Sequence, residues 1–315
     1  MTKRSMLLAM LLVAALSAML AVGCQRGGGG GEGGEDQLRI GLSVSTLNNP
    51  FFISLRDGAQ QAAQEAGVQL EVADAQNDAS AQQDDVQNFV TQQFDAILVN
   101  PVDSEAIVPA IQAANQADIP VLALDRGAAG GELVTTIASD NVEGGRIAAR
   151  ELVELVGSGP VAQLEGIPGT SAARDRGQGF EEVIEGQDQV ELVASQSANF
   201  DRAQALNVTE NILQANPEIK GIFAQNDEMA LGAVRALGER AGNEVKIVGF
   251  DAIEDALQAI QDGRMNATIA QQPDRIGALG VENAVKAIEG ESVPEEISVE
   301  VKLVTQENVS EYLQQ

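Results

Sequence analysis

Residues 38–52 read LRIGLSVSTLNNPFF, an aliphatic run that breaks into polar residues and ends in two adjacent phenylalanines. Leu38, Ile40, Leu42 and Val44 predict a buried β-strand, because a short aliphatic and β-branched run bounded by turn residues fits a strand better than a helix. Asn48-Asn49-Pro50 predicts a helix entrance, with an Asn cap followed by Pro in the first turn, where its missing N–H costs nothing. Phe51 and Phe52 then stand where the carboxyl end of the strand meets a helix N-terminus. In open α/β sheets that edge is where ligands bind.

From this stretch onward apolar strands alternate with helical patterns. Val68 to Ala73, Ala96 to Val99, Val121 to Leu124 and Thr135 to Ala138 read as strands. Between them, Ile107, Val108, Ile111 and Ala114 recur at helical spacing behind an acidic start, Asp103-Ser104-Glu105. The alternation begins again after Asn141, with strands expected at Val161 to Leu164, Leu192 to Ala194, Gly221 to Ala224, Val245 to Gly249 and Ala267 to Ala270. Such alternation implies parallel sheets covered by helices on both faces. The expected fold is therefore α/β, in two Rossmann-like units of similar size, and the residues alone place one cut between them, near Ser139.

A chain of 315 residues that is 44% hydrophobic can bury a full core. Its charge is less ordinary: 47 Asp and Glu stand against 19 Lys and Arg, for a formal net charge of −28, and five of the cations are lysines. Nucleic acid is excluded as a partner, because phosphate binding needs a basic patch that counterion release can reward. So dense an acidic surface repels itself, and salt screens that repulsion, with a Debye length of about 10 Å at 0.1 M and about 3 Å at 1 M. The expectation is a protein suited to salty surroundings, whose thermal unfolding midpoint rises between low and molar NaCl. A midpoint that stays constant across that range would reduce the composition to that of an ordinary acidic secreted protein.

The first residues have a different character. Lys3 and Arg4 precede an uncharged apolar run, Met6 to Val22, so residues 1–23 read as an export signal, outside the fold. Leu20-Ala21-Val22-Gly23-Cys24 resembles a bacterial lipobox, in which cleavage before Cys24 leaves a thiol that carries lipid; Ala21 stands where Leu is commonest. The alternative is a plain secretory signal with an incidental cysteine. Cys24 is the sole cysteine, so no intramolecular disulfide and no cysteine-based metal cluster can form. Residues 24–37 form a Gly-rich acidic linker, expected to act as a flexible tether between an anchor and a soluble body.

Enzymatic chemistry finds little support. The chain has no His, its one Cys is assigned to the anchor, and it lacks G-x-S-x-G, P-loop and His-based metal motifs. Gly157-Ser158-Gly159 precedes a strand instead of following one, and Gly144-Gly145 lacks dinucleotide-binding spacing. No catalytic residue, cofactor or metal is expected.

A small-molecule site at such an edge draws on flat apolar rings and on planar polar groups. There is no Trp, one Tyr and eight Phe. Four of those phenylalanines, Phe51, Phe52, Phe200 and Phe250, lie beside predicted strand ends, next to Asn49, Asp201 and Asp251.

STLNNPFF (45–52), LDR (124–126), IASDN (137–141), GTSAARDRG (169–177), NFDR (199–202), FAQNDEMALGA (223–233), VGFD (248–251) and ATIAQ (267–271) occur in this order. With these motifs in register from about Leu38 to about Val304, the chain resembles the ribose-binding proteins of the type I periplasmic binding protein family. The resemblance implies two lobes joined by a three-segment hinge, with crossings near Ser139, Gln272-Pro273 and Val301. The N-terminal lobe would comprise 38–139 plus 272–300 and the C-terminal lobe 140–271 plus 301–315. It also implies a set of ligand-binding residues. In the first lobe these are Asn49 as a hydrogen-bonding amide, Phe51 and Phe52 as a stacking pair, and Asp125 and Arg126 as an acid and base gripping hydroxyls. In the second they are Arg176, the stacking Phe200, Asn226, Phe250 and Asp251 as ring and acceptor, and Gln271 at the hinge. Asp227 reads as the cap of a helix starting at Glu228, Arg174 and Asp175 as a solvated face, and Ala252 departs from the family's usual Gly.

By resemblance, the protein captures D-ribose or a related monosaccharide in an interlobe cleft and delivers it to the membrane permease of an ABC importer. It would be exported, held at a membrane through lipid on Cys24, and monomeric. A sensor presenting a sugar or sugar-like signal to a membrane receptor would share fold and pocket. A sugar-responsive repressor would need a basic helix-turn-helix before the first strand, where this chain has a signal and a Gly-rich linker.

Overall fold

Asn49 does start the first helix. Its side-chain oxygen accepts from Phe51 N–H at 2.9 Å, Pro50 occupies the first turn, and Gly67 closes the other end in a left-handed conformation (φ 70°). In the computed structural model, which describes residues 37–313, this helix follows directly on the first strand. The export signal, Cys24 and all of the linker but Gln37 lie outside the described residues.

Two sheets of six strands organise the rest. The first contains β1 (Arg39–Val44), β2 (Gln69–Asp74), β3 (Ala96–Val99), β4 (Val121–Leu124), β5 (Thr135–Ser139) and β11 (Glu296–Val299), in the order β11-β5-β4-β3-β1-β2, all parallel. The second contains β6 (Gly159–Glu165), β7 (Val190–Ser197), β8 (Gly221–Ala224), β9 (Lys246–Asp251), β10 (Ala267–Ala270) and β12 (Lys302–Thr305), in the order β12-β10-β9-β8-β6-β7. Within it β12 runs antiparallel to β10, a departure from an all-parallel sheet. The cause is continuity: β11 runs in the same sense as β5 and, after only two residues, the chain enters the second sheet as β12 without turning back.

The helices are α1 (Pro50–Ala66), α2 (Ala79–Thr91), α3 (Val108–Gln116), α4 (Asn141–Val156), α5 (Ser171–Ile184), α6 (Arg202–Ala215), α7 (Asp227–Leu237), α8 (Glu254–Gln261), α9 (Pro273–Ile288) and α10 (Val309–Tyr312). The chain passes between the sheets three times, from β5 to β6, from β10 through α9 to β11, and from β11 to β12. Each sheet has buried apolar clusters on its faces: Ile40, Leu42, Leu55 and Ile276 on one side of the first and Phe89, Ile97 and Ile111 on the other. Phe180, Phe223 and Phe250 form one such cluster on the second sheet, and Ile222, Met229 and Ile247 belong to the other.

α3 begins later than its spacing predicts, because Asp103 Oδ1 accepts from the N–H groups of Glu105 and Ala106 and holds a separate turn before Val108. One helix crossing positions the site directly. α4 and α5 approach so closely at Gly145 that a β-carbon there would overlap the Arg176 carbonyl oxygen, and this contact fixes the turn of α5 that carries Arg176.

Candidate sugar-binding site

The carboxyl ends of strands from both sheets meet at one small cavity. Asn49, Phe51, Phe52, Asp125 and Arg126 line it from the first sheet's side, and Ala172, Arg176, Phe200, Asn226, Asp251 and Gln271 from the second's. Ten of the eleven residues singled out in the sequence thus share one wall-to-wall space. Phe250 does not reach it: the ring is fully buried and lies under Arg176, 3.8 Å from the guanidinium carbon to the ring centroid. Ala172, a lining residue, carried no signal of its own in the sequence.

The aromatic rings hold the arginines in place. Phe51 and Phe52 meet edge to face at 5.1 Å, and the Arg126 guanidinium lies 5.2 Å from Phe52 and 5.5 Å from Phe200. Phe200 sits at φ 56°, with Asn199 beside it at φ 54°, a left-handed turn that brings its ring over from the second sheet.

Polar side chains are oriented by buried partners. Arg176 donates from Nε to Asn141 Oδ1 (2.8 Å) and from Nη1 to the Gln225 carbonyl (2.7 Å). Arg126 donates from Nη1 to the Pro101 carbonyl (3.0 Å), and Asn100 Nδ2 donates to Asp125 Oδ2 (3.3 Å). Gln271 Nε2 donates to Asp251 Oδ1 (2.6 Å). Asn100, Asn141 and Gln225 therefore hold lining side chains in place, a role the sequence did not reveal, although each follows directly on a strand or opens a helix.

Helix α7 corrects one assignment. Asn226, not Asp227, is its cap, accepting from Met229 N–H at 2.9 Å. Asp227 lies inside the first turn, fully buried, accepting from Thr268 Oγ1 (2.7 Å) and Ile253 N–H (3.0 Å). Arg174 is exposed as expected.

Three atoms of the lining are buried without a hydrogen-bond partner: Asp125 Oδ1, Arg126 Nε, which has only a 3.7 Å ion-pair contact with Asp125 Oδ2, and Gln271 Oε1. Two are acceptors and one is a donor, the mixture that hydroxyl groups satisfy. The charges are unusual too, with Asp125, Asp227 and Asp251 against Arg126 and Arg176. Burial pushes the Asp251 carboxyl up to about 7, with Arg176 and the Gln271 amide restraining the rise. Burial also raises Asp125, against Arg126 and Arg176, and raises Asp227 well above the carboxylate range, helped by Asp251. Burial lowers Arg126 to about 10 and lowers Arg176, opposed by their aspartate neighbours.

The cavity measures about 20 Å³, room for about one water molecule. A larger ligand enters only if the two sheet units part or the lining side chains shift. A bigger hollow of about 510 Å³, lined by residues including Gln163, Glu165 and Glu181, is open to solvent and has no aromatic ring.

Residues 40–292 match the periplasmic binding protein domain family. The chain belongs to this family. It is 46% identical over 275 residues to the ribose import binding protein RbsB of Bacillus subtilis, covering 87% of this chain and 89% of that protein. It is 49% identical over 269 residues to RbsB of Escherichia coli, covering 85% and 90%. Among solved structures, an ABC transporter periplasmic solute binding protein from Actinobacillus succinogenes with bound D-allose superposes with a TM-score of 0.82 at 38% identity, covering 88% of this chain and all of that one. These family members are binding proteins, not enzymes, in agreement with the reading of the chain's chemistry.

Proposed function

We propose that the protein binds D-ribose between its two sheet units and hands it to the membrane permease of an ABC importer. The observation that carries this reading is the convergence of three buried polar atoms that lack hydrogen bonds with two arginines and three phenylalanine rings at one small cavity. Hydroxyls supply both the donors and the acceptor those atoms lack, and the rings suit the C–H faces of a sugar. The ribose import binding proteins among its relatives favour a pentose.

In this reading residues 38–139 plus 272–300 and residues 140–271 plus 301–315 are lobes that move about the three crossings. Sugar contacts drawn from both lobes exist only when the cleft is shut, so ligand shifts the protein toward that state. Export through the signal at residues 1–23, a lipid on Cys24, a tether at residues 24–37 and a monomeric state complete the proposal, consistent with the order of these segments in the sequence.

Titration calorimetry with D-ribose, 2-deoxyribose, arabinose, allose and galactose tests it. Micromolar or tighter binding corresponds to about 8 kcal/mol, and a sugar lacking or inverting one hydroxyl is expected to bind up to about 10⁴-fold more weakly, because a buried polar group is then left unpaired. Heat from none of these sugars would move the sensor of a sugar-like signal ahead of the importer.

A further inference from the structure

Away from the hinge, two hydrogen bonds join the sheet units directly, outside the cavity. Ser104 N–H donates to the Gly169 carbonyl at 3.1 Å, and Gly127 N–H donates to Ser171 Oγ at 2.9 Å. Ser104 and Gly127 belong to loops after β3 and β4, whereas Gly169 lies in the loop between β6 and α5 and Ser171 is the first residue of α5. The two first-sheet loops are themselves tied together, since Ser104 Oγ donates to the Gly127 carbonyl (2.7 Å) and Ala129 N–H to the Ser104 carbonyl (2.7 Å). Gly169 is at φ 91°, and a β-carbon there would overlap Asp103 Oδ2. Asp103 cannot easily retreat, because its other carboxylate oxygen holds the Glu105 and Ala106 amides. Glycine at 169 therefore permits both the turn and the approach of the opposite unit.

We propose that these loops form a latch that holds the closed arrangement without touching sugar, and that Ser171 thereby sets the affinity for every ligand of the cleft alike. The inference rests on the sugar-binding reading. Without sugar, closure leaves Asp125 Oδ1, Arg126 Nε and Gln271 Oε1 buried with no hydrogen bond, so the empty protein favours the open state. Sugar removes that penalty, and the latch adds the same increment to closure whatever the sugar. Its contribution thus enters each dissociation constant as one common factor. Ser171 suits this task because Thr170, not Ser171, caps α5, so its hydroxyl is available to the opposite unit.

The test is Ser171→Ala in the full chain. In the open state water satisfies the Gly127 amide, whereas in the closed state the variant leaves it unpaired, so closure alone is penalised. Affinity for D-ribose and for a weaker-binding sugar is expected to fall by the same factor, about tenfold, with their ratio and the melting temperature of the sugar-free protein unchanged. Ser171→Thr, which keeps a hydroxyl, is expected to restore most of the loss. In parallel, single-molecule energy transfer between dyes on the two units is expected to show the closed fraction of sugar-free protein falling about tenfold in Ser171→Ala. Unchanged affinity with an unchanged closed fraction, or a loss confined to one sugar, overturns the latch. If wild type binds no sugar, the functional reading fails, while the sugar-free closed fraction still decides whether the latch exists.

Discussion

Arg176→Ala is expected to weaken D-ribose binding by about 10²- to 10³-fold while the protein still folds. Two of the three guanidinium nitrogens are committed, Nε to Asn141 and Nη1 to the Gln225 carbonyl, so Nη2 remains for a hydroxyl. The same group lies over Phe250 and stands 3.8 Å from Asp251 Oδ1. Removing one member of such a buried charge pair typically costs about 3–5 kcal/mol. Here much of that cost falls on the closed, ligated state. In the open state water reaches Asp251, and in the closed state the carboxyl, already raised by burial, takes up a proton and becomes a donor where the sugar needs an acceptor. Calorimetry reads the binding loss and circular dichroism the retained fold. Arg174→Ala removes an equal charge two residues away, from an exposed side chain, and is expected to leave affinity unchanged. Affinity of Arg176→Ala within threefold of wild type would falsify the assignment of this site.

Arg176 was legible through the motif GTSAARDRG and the resemblance it carries, whereas the motif IASDN gave Asn141 no role. Strands with buried aliphatic runs announce themselves, and β3, β4, β8 and β10 have the bounds their residues predict. A residue at the carboxyl end of such a strand is then placed at the sheet edge by topology, which is how Phe51, Phe52, Phe200 and Asp251 stood out, whereas Asp125 and Arg126 came from the resemblance. The motifs in register supplied the rest of the lining. Supports such as Asn141 and Gln225 act through contacts 35 and 49 residues away along the chain, and nothing local distinguishes them from helix-opening or strand-ending polar residues.

The departures have the same origin. Phe250 sits on a strand whose alternation turns its ring to the helix-covered face, where it becomes the floor beneath Arg176 instead of a wall of the cavity. The cap of α7 falls on Asn226 because Asp227 is drawn inward by Thr268 and the Ile253 amide, partners that arrive from β10 and the loop before α8. Ala252, where the family usually has Gly, adopts φ 65° directly after Asp251 at φ 127°, so the turn keeps its left-handed shape at the cost of some strain.

Asp251→Asn is expected to move stability and binding in opposite directions. In the sugar-free folded protein this carboxyl titrates at about 7, raised from 3.8 by burial. Between these values the folded protein retains a proton that the unfolded chain has released, so stability falls as pH rises. The group's contribution is complete below about pH 4 and is lost as pH passes 7. Asp125 and Asp227, also raised by burial, act with the same sign. At pH 8 the ionised Asp251 is buried, and Asp125 and Asp227 beside it are raised by burial too, so an uncharged amide at 251 removes that burden. The gain is expected to be about 2 kcal/mol, less than the full shift because an opening cleft readmits water, and to appear as a melting temperature a few degrees higher. Between pH 5 and pH 8 the wild-type midpoint should fall more steeply than that of the variant. Binding should suffer, because Gln271 already occupies Oδ1 and the amide presents an NH2 group where a carboxylate oxygen faced the cavity. Loss of a charge-assisted acceptor is expected to reduce ribose affinity by about ten- to a hundredfold. Thermal melts across pH and a ribose titration on the same protein separate the two effects. A variant that melts lower than wild type at pH 8, or binds ribose undiminished, would show that Asp251 is a structural carboxylate and not one kept under strain for its ligand.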